Sequence, residues 1–365
     1  MKKIPLILSL ILIISLLAGC AGTPVVYYTN CTCPADSHTA APVVDPTAAP
    51  DVPDGPTADG ALKTGLYIST SVKDSKPASA DADGEAKYDV TMVAVLVDDN
   101  GVIRDCIIDG ISTSIKFDAN GAFTGDLTAA PQTKNELGEN YGMVAWGGAI
   151  AEWDAQAAAL ADYAVGKTAE ELRNGAVSES GYAPEGSDLA TSATIYLGGY
   201  VSAIEAAVAN AKHLGAQTGD ILKMATITGI GDSTTPTAEK AGNAQLNADV
   251  TALTMNGETI TSCVIDSVQA KVAFDASGAI TSDVSAPVAT KNELGANYGM
   301  VAWGGAIAEW DAQAAAFAAY VTGKTPAEVA GIAITEATKP ADADLAASVT
   351  ISIIGFQNLI AKAAR

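Results

Sequence analysis

A lysine, an acid and two aromatic residues stand together in one glycine-rich stretch of the chain. Lys134 and Glu136 are followed by Tyr141 and Trp146 in the sequence TKNELGENYGMVAWGG. The stretch leads into a predicted helix, and the first turn of a helix offers unpaired amides and the positive end of its dipole to an anion. We therefore expect Lys134 to add charge to a bound phosphate, and Tyr141 or Trp146 to stack on a flat ring.

The same stretch occurs twice. Residues 133–160 and 290–317 are identical at all but two positions. A structural alternative is a packed loop that positions the following helix, with the identity of the copies reflecting a recent duplication. The equivalent residues of the second copy are Lys291, Tyr298 and Trp303.

A second candidate segment precedes the last predicted helix of each half. It reads DLATSAT from Asp188 to Thr194 and DLAASVT from Asp344 to Thr350. The first copy resembles the Asp-x-x-Ser/Thr-Gly-Ala-Thr motif of the FMN-binding domain family of extracytoplasmic electron transfer, with matches at Asp188, Thr191, Ala193 and Thr194. The second copy matches at Asp344 and Thr350.

Both copies also depart from that motif. Ser192 replaces the glycine of the motif in the first half, and residues 347–349 differ in the second. The lost glycine reduces the room for a modifying enzyme or a phosphate. The alternative for Thr194 and Thr350 is that they are β-branched residues of a strand, an environment that suits threonine.

The resemblance implies a covalent flavin. In that family, a flavin transferase joins the phosphate of FMN to the last threonine of the motif as a phosphoester. It therefore implies FMN on Thr194, with Thr350 as a second site, and a protein that passes electrons to or from a membrane redox partner. The chain would be an electron carrier or a binding protein rather than a turnover enzyme. The residues expected to pack on the rings are Tyr141, Trp146, Tyr298 and Trp303.

Other catalytic chemistry has little support in the sequence. His38 and His213 are the only histidines, too few for a Ser-His-Asp set or for an ordinary metal site. No phosphate-binding loop or dinucleotide fingerprint is present. Paired carboxylates could come from Glu136, Glu152 and Asp154, but Glu152 and Asp154 are expected on the solvated face of a helix.

The net charge limits the kinds of partner that we expect, and the cysteines indicate buried positions. The formal net charge of −22 argues against nucleic acid and against binding flat on an anionic membrane surface. Cys106 and Cys263 occupy equivalent places within apolar runs, which predicts buried small residues.

The N-terminus predicts a lipid anchor. Residues 1–3 are MKK, residues 4–17 are almost entirely apolar, and Leu-Ala-Gly-Cys ends at Cys20. This resembles the bacterial lipoprotein signal, which implies a signal peptide at residues 1–19 and lipidation of Cys20. Residues 20–60 are rich in Pro, Ala, Asp and Thr and predict a disordered tether. We therefore expect the protein at the extracytoplasmic face of the bacterial membrane, held to the bilayer through Cys20.

Hairpin signals open each half. A strand predicted at residues 88–97 is followed by Asn100-Gly101, and one at residues 249–255 by Asn256-Gly257. Asn-Gly between apolar runs is a strong hairpin signal. A second hairpin is predicted around residues 115–121 and its copy.

Helical patterns follow the hairpins. An apolar stripe at helical spacing is predicted from Trp146 through Ile150 and Trp153 to Leu160, and again in the second copy. Thr168 and its counterpart Thr325 are followed three residues later by Glu, the pattern of a capping box. Strand-like segments at residues 192–197 and 348–353 precede the last helices.

Together these patterns predict an α+β protein. It comprises two tandem homologous domains at residues 61–215 and 216–365, each a mostly antiparallel sheet with helices packed on it. The functional alternative to a flavin carrier is a non-enzymatic surface lipoprotein, ligand-binding or adhesive, in which two linked modules gain avidity. A cell-envelope scaffold is a third possibility.

Overall fold

A computed structural model describes residues 60–365 of the chain. The predicted signal peptide, Cys20 and the tether up to residue 59 lie outside these residues. Each half begins with three antiparallel strands in sequential order. The strands of the first half are Lys63–Ser71 (β1), Gly84–Val97 (β2) and Ile103–Phe117 (β3). Those of the second half are Ile221–Gly229 (β4), Gly242–Asn256 (β5) and Thr259–Phe274 (β6).

The main turns fall at the predicted Asn-Gly steps. Gly101 has φ 78° and Gly257 has φ 58°, both in the left-handed region that glycine enters at little cost. β2 therefore turns directly into β3, and β5 into β6. The first predicted hairpin of each half is confirmed, whereas the second is limited to one bridge, between Phe117 and Phe123 in the first half.

Helices follow each sheet, and among residues 60–365 none is long and apolar enough to span a membrane. The capping boxes at Thr168 and Thr325 are confirmed. The helices of the first half are Lys134–Leu137 (α1), Met143–Gly147 (α2), Trp153–Ala164 (α3), Ala169–Ala176 (α4), Asp188–Ser192 (α5) and Gly198–Ala209 (α6). Those of the second half are Lys291–Leu294 (α7), Met300–Gly304 (α8), Trp310–Val321 (α9), Pro326–Ala330 (α10), Ala343–Ala346 (α11) and Ile354–Ala363 (α12).

The two sheets pack face to face around one shared core. Every second residue of β2 points into it, from Ala86 to Met92, and residues from all six strands join. Within this core the rings of Phe117 and Phe274 stack with their centroids 4.0 Å apart. The helices cover the outer face of each sheet, so the layers run helix, sheet, sheet, helix. The predicted α+β class with two sheet-plus-helix units is confirmed.

Each outer face has its own smaller core. In the first half, Trp153 and Leu160 of α3 pack over the outward side chains of β2 and β3, which include Cys106. Cys263 has the equivalent place in the second half. Both cysteines are buried and free, as predicted, and burial raises the pKa of Cys263 to about 12.

The predicted apolar stripe is wrong at its beginning. α3 begins at Trp153, and Trp146 and Ile150 lie before it and are exposed. Gly148, at φ 64°, ends α2 in the left-handed region, so the chain cannot continue as one helix through this point. Trp153 and Leu160 are buried as predicted, and the second copy behaves in the same way.

The predicted strand-like segments at residues 192–197 and 348–353 are also wrong. Apart from Ser192, which ends α5, residues 192–197 form a loop that joins α5 to α6, and residues 348–353 form a loop that joins α11 to α12. In the first of them, the amides of Thr194 and Ile195 donate to a glutamine side chain instead of to a neighbouring strand. Thr194 and Thr350 are therefore loop residues.

Candidate functional site

Thr194 lies in an exposed loop, and a buried glutamine holds it there. Oε1 of Gln156 accepts hydrogen bonds from the Thr194 amide at 2.8 Å, the Thr194 hydroxyl at 3.2 Å and the Ile195 amide at 3.2 Å. Gln156 lies on α3 and is 0% exposed. The loop is therefore anchored from the interior while Thr194 itself stays exposed.

The second half repeats this arrangement with one contact fewer. Oε1 of Gln313 accepts from the Thr350 amide at 2.7 Å and the Thr350 hydroxyl at 3.2 Å. Gln313 is also 0% exposed, on α9. Thr350 is half-buried rather than exposed, so its hydroxyl is the less accessible of the two.

Asp188 and Thr191 build the short helix that leads to Thr194. Asp188 is exposed in the first turn of α5, where a negative charge interacts favourably with the helix dipole. The Thr191 hydroxyl donates to the Asp188 carbonyl at 2.7 Å, which closes the turn. Asp344 has the corresponding exposed place in α11. These motif residues therefore set the position of the threonine loops.

Ser192 stands where the motif has glycine, but its backbone does not lie in the left-handed region that favours glycine. In the part of the chain that the structure describes, Thr338 is the one residue other than glycine with a positive φ. The Ser192 hydroxyl donates to the carbonyl of Leu189 at 3.3 Å, back onto its own helix. The backbone of α5 therefore accepts a serine here without strain.

An exposed pair of tyrosines lies beside the first threonine loop. Tyr196, two residues after Thr194, packs edge-to-face on Tyr182, with ring centroids 5.6 Å apart. The two rings are 55% and 47% exposed. Ser352 has the equivalent place to Tyr196 in the second half, so only the first threonine loop carries this aromatic pair. Sequence reasoning missed both tyrosines, although the spacing Thr194-Ile-Tyr196 was visible.

Lys134 and Lys291 are enclosed by aromatic rings. The Lys134 ammonium lies 5.3 Å from the ring centroid of Tyr141 and 4.7 Å from that of Trp153. Lys291 lies 5.4 Å from Tyr298 and 4.7 Å from Trp310. Burial lowers the pKa of both lysines. Each ammonium is stabilised by cation–π contacts at the edge of its sheet.

A buried aspartate fixes the turn that carries each lysine. In the first half, Asp109 of β3 accepts from the Asn135 amide at 3.1 Å, and the Asn135 side chain donates to the Ile108 carbonyl at 2.9 Å. Thr133 and Glu136 complete a capping box around the same turn, and their spacing is the sequence signature of such a box. Burial raises the pKa of Asp109.

The equivalent aspartate of the second half is Asp266. It accepts from the Asn292 amide at 3.1 Å and the Ser267 amide at 2.7 Å. Burial raises its pKa to about 6.

Trp146 and Trp303 lie in the short helices α2 and α8, within exposed segments that we call the Trp loops, residues 142–152 and 299–309. Trp146 is 86% exposed and Trp303 is 90% exposed. The Glu152 carboxylate closes the first Trp loop by accepting from the amides of Met143 at 2.8 Å and Val144 at 3.0 Å. Glu152 is therefore a cap for α2, which corrects its expected place on the solvated face of a helix.

Gln156 joins the first Trp loop to the threonine loop. Its Nε2 donates to the Ala151 carbonyl at 2.8 Å, at the end of the Trp loop, while its Oε1 binds Thr194. Trp153, one turn earlier, donates from Nε1 to the Tyr200 hydroxyl at 3.1 Å and lies over Lys134. The structure thus gathers Thr194, Gln156 and the Lys134 cluster around the start of α3.

Gln156 and Gln313 were also missed from the sequence. The signal was a glutamine on the buried side of an alanine-rich helix, WDAQAAA, present in both copies. Buried polar side chains are hydrogen-bonded as a rule, so such a residue indicates a specific partner.

An open groove of about 760 Å³ includes none of these residues. Its lining contains Asp98, Asp99, Arg104 and Asp105. Asp98 and Arg104 form an ion pair at 2.5 Å. The candidate site is therefore an exposed surface around the threonine loop rather than this groove.

Comparison with known proteins identifies no relative of this chain. No protein-family profile matches the chain, and neither a curated protein nor a solved structure shows significant similarity to it.

Proposed function

We propose that this chain is a lipid-anchored flavoprotein that carries FMN covalently on Thr194 and relays electrons outside the cytoplasmic membrane. The observation that carries the proposal is an exposed threonine whose hydroxyl is anchored by buried Gln156, two residues before the exposed ring of Tyr196. A phosphoester needs a hydroxyl that a modifying enzyme can reach. A flavin ring attached there gains from an aromatic neighbour.

The start of α6 suits the phosphate of such a group. The helix runs for 12 residues from Gly198, and the Leu197 and Gly198 amides donate to the Gly181 carbonyl. The next two amides, of Gly199 and Tyr200, belong to the first turn, which has no carbonyl partner within the helix. Such amides and the helix dipole stabilise an anion.

The bound flavin would supply reversible electron transfer, and the protein would supply attachment and surroundings. Because the site is an open surface, the ring would stay accessible to a redox partner in the membrane. The predicted lipid at Cys20 would keep the carrier near that partner.

Thr350 is the weaker of the two sites. Its side chain is half-buried, and Ser352 replaces the tyrosine beside it. The Ser352 hydroxyl accepts from the Thr338 hydroxyl at 2.6 Å, so the second loop carries a polar contact where the first carries a ring. We therefore propose Thr194 as the principal attachment site.

Intact mass tests the proposal. We expect the chain, co-expressed with a flavin transferase, to gain the mass of one FMN phosphoester on most molecules and of two on a minority. Thr194→Ala is expected to remove the main increment, and Thr194→Ala with Thr350→Ala to remove all of it, because the acceptor hydroxyls are gone. Thr128→Ala is the matched control, because Thr128 is an exposed threonine outside both threonine loops and its loss should leave the increment in place.

An unmodified wild-type chain under these conditions would contradict the proposal. So would an increment that survives the double substitution, because the flavin would then be attached elsewhere.

A second function has one specific observation in its favour, the exposure of the Trp loops. Trp146 and Trp303 each expose a large ring on a loop whose residues 143–151 carry no charge, within a chain of net charge −22. Uncharged aromatic surfaces of this kind suit a neutral ligand such as a glycan. This would make the chain a binding module with two equivalent sites.

Sedimentation with purified cell-wall glycan tests the binding function. We expect Trp146→Ala with Trp303→Ala to reduce retention at least tenfold if each ring contributes about 1 kcal/mol. The control is Tyr182→Ala, which removes an exposed aromatic ring outside the Trp loops. Tyr67 would not serve, because it packs against the outer core. Equal retention of wild type and the double variant would exclude the Trp loops as the binding surface.

A further inference from the structure

Gln156 has a single orientation that its neighbours impose. Its Oε1 faces the amides of Thr194 and Ile195, which can only donate, and its Nε2 faces the carbonyl of Ala151, which can only accept. Rotating the amide by half a turn would break all of these contacts. Gln313 is held in the same way, between the Thr350 amide and the Ala308 carbonyl.

This orientation decides the direction of the threonine hydroxyl. Oε1 of the glutamine has no hydrogen, so the hydroxyl at 3.2 Å from it must donate. A hydroxyl has one hydrogen and two lone pairs. With the hydrogen directed to the buried glutamine, the lone pairs of Thr194 Oγ1 are left for the exposed side.

We propose that Gln156, and Gln313 in the second half, are positioning residues that turn the lone pairs of the threonine hydroxyl toward an incoming phosphoryl group. The inference rests on the proposed attachment of FMN and adds the residue that prepares the acceptor. The outward lone pair of Oγ1 would attack the phosphorus on the FMN side of a flavin dinucleotide. The pyrophosphate bond breaks and AMP leaves with the bonding pair. The hydroxyl proton stays directed at Gln156 during the attack, and it passes to a base of the transferase as the contact with Gln156 breaks.

The glutamine also explains how the loop keeps its shape after the reaction. The ester oxygen has no hydrogen to donate, so the contact between Oγ1 and Oε1 is lost. In the first half, Oε1 of Gln156 keeps two amide donors, from Thr194 and Ile195. In the second half, Gln313 keeps the Thr350 amide. The first loop is therefore better anchored in the modified state.

Two substitutions of Gln156 test the inference. Both are made in a Thr350→Ala background, so that FMN attachment reports on Thr194 alone. Gln156→Met keeps the volume and loses all four hydrogen bonds of the side chain, and we expect FMN attachment to slow by about tenfold to a hundredfold. Gln156→Glu keeps the acceptor oxygen but cannot donate to the Ala151 carbonyl unless it is protonated. Its rate relative to wild type should therefore rise as the pH is lowered, which simple loss of packing would not produce.

Gln357→Met is the matched control. Gln357 is a buried glutamine of α12 that donates to the carbonyls of Val329 and Ile332. Its replacement removes comparable contacts away from either threonine. We expect it to lower stability and leave the rate of attachment within about twofold of wild type.

Amide hydrogen exchange separates this inference from the proposed function. In Gln156→Met, the amides of Thr194 and Ile195 should exchange at least tenfold faster, while the Leu197 amide, bonded to the Gly181 carbonyl, stays protected. If the wild type stays unmodified while Gln156→Met shows this exchange pattern, the proposed function fails and Gln156 remains only the anchor of the threonine loop. A Gln156→Met chain that is modified at the wild-type rate, or whose Thr194 amide stays protected, would overturn the inference.

Discussion

Phe274→Ala is expected to lower the free energy of unfolding by about 4 kcal/mol, the usual cost of deleting a buried phenyl ring. Phe274 is fully buried, stacks on Phe117 with ring centroids 4.0 Å apart and meets Phe123 edge-to-face at 5.5 Å. Because Phe117 and Phe274 belong to different halves, the cavity would open in the core that both sheets share. We therefore expect the loss to affect both halves together.

Urea unfolding followed by amide hydrogen exchange measures whether Phe274→Ala destabilises both halves together. The amides of β2 report on the first half and those of β5 on the second, and both should lose protection in one transition at a lower urea concentration. Phe317→Leu is the control. Phe317 is buried in the outer core of the second half, and Leu160 fills the equivalent place in the first, so this change should cost about 1 kcal/mol.

Two separated transitions would contradict the shared core. So would a Phe274→Ala chain in which β5 loses protection and β2 does not. Either result would mean that residues 61–215 and 216–365 behave as independently stable domains.

The parts of the fold that local chemistry decides could be read from the sequence. Gly101 and Gly257 supply the left-handed turn residues of the hairpins, and Thr168 and Thr325 cap their helices through contacts three residues away. In each case the deciding interaction lies within a few residues of the chain. Such signals do not depend on what packs against them.

The shared core was out of reach of the same reasoning. The alternation along β2 shows that one face is buried, but an apolar face can be covered equally well by helices or by another sheet. The partner of Phe117 is a residue 157 positions away in the other half. Only packing between the halves selects it.

The candidate site could not be predicted from the sequence for a different reason. Glu152 and Gln156 belong to a polar helical pattern, yet their functions depend on loops that fold back over the start of α3. Trp146 fits the apolar stripe by spacing and is excluded from it by the turn at Gly148. Spacing along a helix carries no information about loops that are closed by side chains.

The two halves differ in some buried or contacting residues and agree in some exposed ones. The Trp loops are identical in both copies although their indole rings are exposed, whereas buried or contacting neighbours differ, such as Tyr200 and its counterpart Phe356. Exposed side chains are normally the freer to change, because they contribute little to packing. Identity at these exposed positions is consistent with the binding surface proposed for the Trp loops. The absence of a tyrosine beside Thr350 is consistent with our proposal that Thr194 is the principal attachment site.

The second large effect is a pH dependence that comes from Asp266. Burial raises the pKa of Asp266 to about 6, against 3.8 for the ordinary carboxyl. Between these values the folded chain holds a proton that the unfolded chain has released. Folding is therefore most favourable at low pH for this group, and stability falls as the pH rises from about 4 to about 6, by roughly 3 kcal/mol in all.

Asp266→Asn isolates this contribution. The amide oxygen of asparagine can still accept from the Asn292 and Ser267 amides, but the side chain carries no charge at any pH. Urea unfolding of both proteins at several pH values gives the difference between their free energies of unfolding. We expect this difference to shift by about 3 kcal/mol in favour of the variant between pH 4 and pH 7. Asp344→Asn removes the same charge from an exposed helix turn and serves as the control for net charge.

A difference that stays flat across this range would mean that Asp266 is ionised in the folded protein at pH 4. Its charge would then have to be held by the amides at the start of α7 and by Thr290 alone, and the burial that we invoke would be outweighed by those hydrogen bonds. The turn that carries Lys291 would in that case rest on a buried carboxylate, and the cation–π contacts of Lys291 would be reinforced by a full negative charge beneath them. The pH at which the difference changes therefore decides which of these two electrostatic arrangements supports the lysine.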